Sequence, residues 1–376
     1  MVMNIYQKLG LKRVVNASGK MTILGVSSVA AEVMQATAEA AATFVEIDAL
    51  VNRVGVLISQ HTGAEDSFVT SCASAGIAIA VAAAVTRGEP ELVAQLPDSQ
   101  GLANQVVMLR GHNIDYGAPI TTAIRLGGGK VVEVGQSNLS YRWQLEKAIG
   151  PETAALFYVK SHHCVQKGMV ALKDFVEIAR HHDLPLIVDA AAEEDLRGYV
   201  AAGASMVVYS GAKALDAPTS GFVTGQRQWI AHCKVQHDGI ARAMKIGKEN
   251  MVGLVMAMER YQSHHPEWTK QLPELEAVAQ RISAIAGFQA EIEQDEAGRA
   301  IYRVRVNVSQ PQLGLNAVEV ETLLRSGEVA IYTRHYFLHQ GVFSFDPRAL
   351  KEDDFELIIS RLQEISQSSG ALHAAD

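Results

Sequence analysis

The sequence predicts an α/β fold: a large domain built on a mostly parallel β-sheet, with a smaller α+β C-terminal domain. From residue 105 onward, short and continuously apolar strands alternate with helical stretches, as in parallel sheets that helices cover on both faces. After Tyr261 the pattern changes, because Pro266 breaks a helix and apolar residues alternate with polar ones over residues 302–308. Residues 1–50 are predicted to form an N-terminal arm and helix that pack with the small domain. The large domain is predicted over residues 51–261 and the small domain over residues 262–376.

The composition is that of a globular protein from a reducing compartment. Of its 376 residues, 48% are hydrophobic and 20% are charged. The net charge of −8 opposes binding to nucleic acid or to an anionic membrane. Cys72, Cys164 and Cys233 are odd in number and lack the CxxC spacing of a zinc site. Because the first ten residues contain no apolar signal segment, we expect a cytoplasmic location.

Chemically useful side chains follow the predicted strands of the large domain. These strands span residues 68–70, 105–109, 130–134, 154–159, 186–188 and 206–209. The carboxyl ends of parallel strands meet at one edge of the sheet, where ligands bind. We therefore expect one shared site to contain Ser74, His112, Lys160, Asp189 and Lys213.

Lys213 follows the last of these strands, in a short polar loop of small residues. A lysine at the mouth of a buried strand is costly unless its charge is neutralised or used. A partly desolvated amine has a lowered pKa and becomes a nucleophile toward an aldehyde. An isolated lysine in this position is more often a surface residue, so the interpretation depends on its partners.

Asp189 is the strongest candidate partner, because it directly follows the apolar run Leu186-Ile187-Val188. Desolvation would raise the pKa of this carboxyl unless a cation faces it. A protonated pyridine nitrogen is such a cation. The alternative is an ordinary aspartate that caps the next helix.

A turn of small residues, Ser71 to Gly76, joins a strand to a helix. The start of a helix presents free N–H groups and the positive end of its dipole to an anion. Ser74 adds a hydroxyl donor and Gly76 permits close backbone approach. The turn therefore suits a phosphate, although an ordinary helix cap would have the same composition.

An ordered series of motifs resembles the selenocysteine-synthase-like branch of the pyridoxal-phosphate enzymes of fold type I, the aspartate-aminotransferase-like fold. The motifs are Val15-Asn16-Ala17-Ser18-Gly19, Thr62-Gly63-Ala64-Glu65, Arg110-Gly111-His112, Gly129-Lys130-Val131-Val132-Glu133-Val134-Gly135, Lys160-Ser161-His162, Asp189 and Ser210-Gly211-Ala212-Lys213. The resemblance implies pyridoxal 5′-phosphate as the cofactor. It also implies a homodimer or larger homo-oligomer, since active sites of this superfamily usually draw residues from two subunits.

The resemblance also implies a role for each site residue. Lys213 would hold the cofactor through its amine and later move protons at the substrate Cα, and Asp189 would pair with the pyridinium nitrogen. His112 would stack on the cofactor ring. The expected phosphate ligands are Ser74, Ala75, Gly76 and Ser210. Lys160 and His162 would line the substrate side or meet the phenolic oxygen of the cofactor.

Two departures from the family pattern bear on the substrate. Ile23-Leu24-Gly25-Val26 lacks the arginine of the family motif, and Ala190-Ala191-Ala192-Glu193-Glu194-Asp195 is acidic where the family has small residues. No basic stripe is present for a seryl-tRNA, so we expect a small-molecule substrate. The acidic run could hold sugar hydroxyls, although a solvated helix start is the favoured interpretation.

Within this branch, Ser-Cys-Ala-Ser-Ala-Gly-Ile at 71–77 and Lys-Ser-His-His-Cys at 160–164 are similar to ammonia-lyases of phosphorylated amino-sugar acids. The implied reaction converts D-glucosaminate 6-phosphate into 2-keto-3-deoxy-6-phosphogluconate and ammonia. Two alternatives stay open. One is another pyridoxal enzyme on a small amino acid, namely an aldolase, a racemase or a selenocysteine-synthase-like transferase. The other is a non-catalytic relative of the same fold.

The small domain is expected to supply an arginine for the substrate carboxylate, as the resemblance implies. Arg334 directly follows a predicted strand and is the candidate, since a guanidinium can bind a carboxylate through two hydrogen bonds. Arg303 and Arg305 alternate with apolar residues and are predicted to face solvent. We expect no metal site, because adjacent histidines on a strand point to opposite faces.

Overall fold

The computed structural model describes residues 4–161, 163–263, 268–296 and 298–373. Its strands are β1 Arg13–Ala17, β2 Asp66–Thr70, β3 Gln105–Leu109, β4 Lys130–Val134, β5 Thr153–Val159, β6 Leu186–Asp189, β7 Met206–Ser210, β8 Gly221–Gly225, β9 Phe288–Gln294, β10 Tyr302–Val308, β11 Val329–Thr333 and β12 Val342–Phe345. Its α-helices are α1 Ile5–Lys8, α2 Ala31–Ala42, α3 Ile47–Thr62, α4 Ala73–Thr86, α5 Pro90–Gln95, α6 Ile120–Leu126, α7 Arg142–Lys147, α8 Leu172–His181, α9 Gly198–Ala202, α10 Gly211–Ala214, α11 Arg227–Val235, α12 Lys248–Ser263, α13 Leu272–Ser283, α14 Gln310–Leu313, α15 Ala317–Ser326 and α16 Asp354–His373.

The chain divides into two compact units. The large unit is Val29–His265, and the small unit combines Met1–Ser28 with Pro266–Asp376. This division places residues 29–50 in the large unit, whereas the sequence predicts that they belong to an N-terminal arm and helix that pack with the small domain. In the large unit, α2 packs against α12 and buries Val33 and Thr37. Lys248 of α12 also caps the C-terminal end of α2 by donating to the carbonyl oxygen of Ala40 at 2.8 Å.

The large unit is organised around one mixed sheet. Among the described residues this sheet has seven strands, in the order β2-β8-β7-β6-β5-β3-β4. Strands β7, β6, β5, β3 and β4 run parallel, which confirms the predicted mostly parallel sheet. Strand β8, which the sequence did not predict, lies antiparallel between β2 and β7. The carboxyl ends of β2, β3, β5, β6 and β7 therefore share one edge, as a site at strand ends requires.

Helix α4 forms the centre of the large unit's core. Every residue from Ala75 to Thr86 is buried, and most are alanine or β-branched. Small side chains let the helix axis approach the sheet closely, so α4 contacts β7 and β8 on one side and α6 and α11 on others. Because α4 starts just after β2, this packing also fixes the turn that precedes it.

The described strands of the small unit form two sheets. Strand β1 pairs in parallel with β11, so the N-terminal segment is part of this unit. Strands β12, β10 and β9 form an antiparallel sheet. Its hydrophobic core joins these strands to α13, α15 and α16. None of the described helices, in either unit, has both the length and the apolar character that crossing a membrane requires.

Arg303 of β10 does not face solvent, so that prediction is wrong. Its side chain is 1% exposed and donates to Asp295 at 2.8 Å and to Asp346 at 2.9 Å. The alternation of apolar and polar residues along the strand predicts that a charged residue such as Arg303 lies at the surface. Arg303 is buried instead because the two buried carboxylates neutralise its charge. Arg305, two residues later, is partly exposed.

Candidate active site

Asp189, the last residue of β6, is a buried carboxylate at the carboxyl edge of the sheet. It is 6% exposed, and its Oδ1 accepts a hydrogen bond from the Ala191 N–H at 3.0 Å. Burial raises the pKa of Asp189 to about 6, although the Ala191 hydrogen bond and the charge of Lys213 act in the opposite direction. Burial therefore destabilises the ionised form of Asp189, and a cation facing the carboxylate would stabilise it.

Lys213 lies within electrostatic reach of Asp189, as the sequence predicted. It sits in the one-turn helix α10, not in a loop, and its backbone N–H donates to Ser210 Oγ, the helix cap, at 3.3 Å. Burial lowers the pKa of the Lys213 amine, and Asp189 partly opposes this effect. A larger fraction of the amine is thus neutral and nucleophilic than in an exposed lysine.

The start of α4 offers hydrogen-bond donors beside these two groups along the strand-end edge. Cys72 is the cap: its Sγ accepts from the Ala75 N–H at 3.4 Å, and its carbonyl oxygen accepts from the Gly76 N–H at 3.0 Å. The N–H groups of Ala73 and Ser74 have no protein partner among the described residues. The open backbone donors in this turn are therefore those of Ala73 and Ser74. Of these, Ser74 is among the phosphate ligands that the sequence predicts, and Ala73 is not.

Gly76 serves packing in this structure. A Cβ on Gly76 would lie 2.8 Å from Val208 Cγ1 and 3.4 Å from Val223 Cγ2, which are side chains of β7 and β8. The absent side chain thus allows α4 to rest on the sheet. The Gly76 N–H already donates to the Cys72 carbonyl oxygen. Gly76 therefore has no free backbone donor for the phosphate contact that the sequence predicts.

We expect Gly76→Ala to lower the free energy of unfolding by about 1–3 kcal/mol, because the added methyl overpacks the interface between α4 and the sheet. Urea denaturation measures the change. Gly150→Ala is the matched control, since its Cβ would meet nothing within 4 Å, and should shift stability by no more than about 0.5 kcal/mol. Equal stability of Gly76→Ala and wild type would contradict this packing argument.

His112 is a buried neutral histidine in the turn after β3. Its Nδ1 accepts a hydrogen bond from the Val159 N–H at 3.3 Å, which leaves the ring proton on Nε2. Its ring packs edge-on against Tyr158, with the centroids 4.6 Å apart. Burial lowers the pKa of His112 to about 4, and the nearby charge of Lys160 acts in the same direction. The role of this ring beside a cofactor stays a prediction.

Lys160 follows β5 and bonds to the end of β6, where its backbone N–H donates to the Asp189 carbonyl oxygen at 2.9 Å. Its charge reaches the buried thiol of Cys164 as well as His112. Lys160 therefore lies at the predicted site, whereas its substrate contact remains a prediction. His162 lies outside the described residues.

The acidic run after Asp189 is a solvated helix start at Asp195, which is exposed and whose Oδ1 accepts from the N–H groups of Arg197 and Gly198 at 2.9 Å, at the start of α9. The favoured interpretation is wrong for Glu193. Glu193 is buried, and its carboxylate accepts from the Tyr199 hydroxyl at 3.1 Å. The Asp195 carbonyl oxygen accepts from the Tyr209 hydroxyl at 2.7 Å. The loop is thus fixed by tyrosine hydroxyls, and the charge of Glu193 contributes to the raised pKa of Asp189.

Sequence reasoning missed Tyr116. Its hydroxyl lies 3.1 Å from Ser74 Oγ, at the start of α4. The residue belongs to the turn after β3, and one aromatic residue in a loop gives no sequence pattern that would reveal its neighbour. Strands β2 and β3 are five positions apart in the sheet, so the contact between the two hydroxyls depends on how α4 and the turn after β3 pack in three dimensions.

Arg334 belongs to the small unit, directly after β11, as predicted. Its guanidinium is 8% exposed, lies 4.8 Å from the ring centroid of Tyr336, and meets Glu296 only at 3.5 Å. Burial lowers the pKa of Arg334, and the charge of Arg303 adds to this effect. Because its carboxylate contact among the described residues is long, this buried guanidinium can accept a second, closer carboxylate.

The family model of L-seryl-tRNA selenium transferase (SelA) matches residues 14–364. The chain belongs to this family. D-glucosaminate-6-phosphate ammonia lyase of Salmonella typhimurium (strain 14028s / SGSC 2262) is 68% identical over 376 residues, which is all of both chains. The 5′-C-glycyluridine monooxygenase-decarboxylase of a Streptomyces species is 41% identical and covers 97% of this chain and 92% of its own. The resemblance to the selenocysteine-synthase-like branch is thereby confirmed.

Solved structures show the same fold. A structure of D-glucosaminate-6-phosphate ammonia-lyase has a TM-score of 0.93 and 68% identity, with complete coverage of both chains. Aspartate aminotransferase from Thermus thermophilus has a TM-score of 0.54 and 15% identity, covering 96% of this chain and 93% of its own. The SelA-family chain therefore has the aspartate-aminotransferase-like fold, fold type I, that its motifs predicted.

Proposed function

We propose that the chain is a pyridoxal 5′-phosphate-dependent ammonia-lyase that converts D-glucosaminate 6-phosphate into 2-keto-3-deoxy-6-phosphogluconate and ammonia. The observation that carries this proposal is the 68% identity, over the full length of both chains, to an enzyme of that name. The site described above supplies the chemistry independently, through one partly desolvated amine and one buried carboxylate.

The residues present fit this cofactor. Asp189 is a buried carboxylate whose raised pKa calls for a facing cation, and a protonated ring nitrogen is one. Lys213 offers an amine with a lowered pKa for the cofactor's aldehyde. Ser74 and Ser210 supply hydroxyls, and the Ala73 and Ser74 N–H groups at the positive end of α4 suit the phosphate.

When bound, pyridoxal phosphate withdraws electrons from the substrate Cα and so acidifies its C–H bond. Asp189 would hold the ring nitrogen protonated and thereby sustain that withdrawal. Lys213 would then take the Cα proton, because a neutral amine of lowered pKa is a suitable base near neutral pH. His112, neutral and fixed by the Val159 N–H, would orient the cofactor ring without adding charge.

The remaining substrate groups need polar partners. Arg334 is the proposed partner of the substrate carboxylate, since its own carboxylate contact is long. Lys160 and His162 are proposed for the substrate side. The balance of the reaction is simple: the Cα proton and the C3 hydroxyl leave as water, and one water later adds as ammonia departs.

The direct test is an assay of purified protein with pyridoxal phosphate and D-glucosaminate 6-phosphate. We expect equimolar ammonia and 2-keto acid, with no consumption of oxygen. Unphosphorylated D-glucosaminate is the matched control and should react more slowly. Cofactor-loaded protein that releases no ammonia from this substrate would contradict the proposed reaction, and oxygen uptake with release of carbon dioxide would favour an activity like that named for the 41% identical relative.

We further propose a homodimer or larger homo-oligomer and a cytoplasmic location. Several large apolar side chains are exposed on the single chain, with Phe44 at 99%, which favours coverage by another subunit. The cysteines are free thiols, as a reducing compartment allows. Analytical ultracentrifugation tests the first statement, and cell fractionation tests the second.

A further inference from the structure

Tyr116 is held in place by the turn that follows β3. Its backbone N–H donates to the Ala118 carbonyl oxygen at 3.2 Å, and the Gly117 N–H donates to Asp115 Oδ1 at 2.7 Å. The ring is half-buried against the core of the large unit. These contacts fix the turn that carries Tyr116 and the surface on which its ring packs.

The Tyr116 hydroxyl lies 3.1 Å from Ser74 Oγ, and either oxygen could donate. Burial raises the pKa of Tyr116, and the charges of Asp189, Cys72 and Asp115 act in the same direction, whereas the Ser74 hydrogen bond opposes them. The phenol thus keeps its proton throughout the working pH range of an enzyme. It can serve as a permanent donor.

The direction of this hydrogen bond decides what Ser74 can do. A serine hydroxyl has one proton and can accept as well as donate. If Tyr116 donates to Ser74 Oγ, the serine proton is free to point to a third group. The open N–H groups of Ala73 and Ser74 lie at the same helix start, so that third group is expected to be an anion.

We propose that Tyr116 is a positioning residue for the cofactor phosphate: its phenol donates to Ser74 Oγ and thereby directs the Ser74 proton to a phosphate oxygen. This inference rests on the proposed function, because it takes pyridoxal phosphate as the anion. Tyr116 acts through Ser74 and needs no contact of its own with the phosphate. A purely structural role, anchoring the turn, would leave the affinity for the phosphate unchanged.

The test is the dissociation constant of pyridoxal phosphate, measured by titrating apoprotein and following the visible absorbance of the bound cofactor. We expect Tyr116→Phe and Ser74→Ala each to weaken binding about tenfold, the value of one hydrogen bond to a charged group. The double variant should be little weaker than either single one, because both changes remove the same interaction. Pyridoxal, which lacks the phosphate, should bind wild type and variants equally.

Tyr141→Phe is the matched control, since it removes a hydroxyl from an exposed tyrosine of the same unit, and should bind as wild type does. Unchanged affinity in Tyr116→Phe would overturn the inference, as would equal weakening of pyridoxal and pyridoxal phosphate, or strictly additive losses in the double variant. Wild-type protein that takes up no pyridoxal phosphate would overturn the proposed function as well. Urea denaturation confirms that each variant is folded before titration.

Discussion

Replacing Lys213 with alanine is expected to lower kcat for ammonia release by about 10³-fold or more, because the base at the substrate Cα is lost. The cofactor should still bind through its phosphate, although less tightly. Lys213→Arg should be comparably inactive, since arginine keeps a positive charge but has no amine that can lose its proton near neutral pH. The measurement is kcat for ammonia release at saturating substrate and cofactor.

Borohydride reduction of the loaded enzyme gives a second measurement. It should attach the cofactor to the peptide that contains position 213 in wild type and to no peptide in either variant. Lys173→Ala is the control, since that lysine is 86% exposed, and it should keep kcat within about twofold, as surface substitutions do. Full activity in Lys213→Ala would remove the amine from the mechanism.

Asp189→Asn is expected to impair the loaded enzyme and stabilise the empty one. Burial raises the pKa of Asp189 from 3.8 to about 6, so the folded apoprotein binds this proton more tightly than the unfolded chain does. Stability therefore falls as the pH rises from about 4 to about 6, and the deficit persists above that range. A neutral asparagine avoids this cost, which corresponds to about 1–3 kcal/mol.

The measurement is urea denaturation of apoprotein across pH 4 to 8, with the activity of loaded protein measured in parallel. The gain in stability of Asp189→Asn should be small near pH 4 and full above pH 6, while kcat should fall about 100-fold or more because the ring nitrogen loses its charged partner. Glu39→Gln removes an exposed charge from α2 and should change neither by much. An apoprotein of Asp189→Asn that is less stable than wild type at pH 7 would contradict the argument.

Much of the site could be predicted because it depends on strand order and chain direction. Lys213 and Asp189 each end or follow an apolar strand, and parallel pairing alone brings such residues to one edge. Strand β8 could not be predicted, because glycine occupies both of its ends and nothing local distinguishes it from a turn. The sequence therefore predicted that Asp189 and Lys213 meet at one edge of the sheet, but it did not predict every strand of that sheet.

The two wrong predictions of solvent exposure, for Arg303 and Glu193, have a common physical cause. Residues elsewhere in the chain provide the partners that allow these charged side chains to be buried. Arg303 and Glu193 are charged and buried, and their partners Asp346 and Tyr199 neutralise or bond them. No periodicity in the chain reports such pairs, because each depends on a tertiary contact. The same holds for Tyr116, whose hydroxyl meets Ser74 Oγ of another strand-to-helix turn.

Strand β8 also decides what can change without moving the site. It lies antiparallel between β2 and β7, and Gly76 of α4 approaches Val208 of β7 and Val223 of β8. Backbone pairing and the contact between α4 and the sheet therefore set the spacing between the turn after β2 and the lysine after β7. Substitutions among the exposed side chains around the site can alter ligand preference and leave this spacing unchanged.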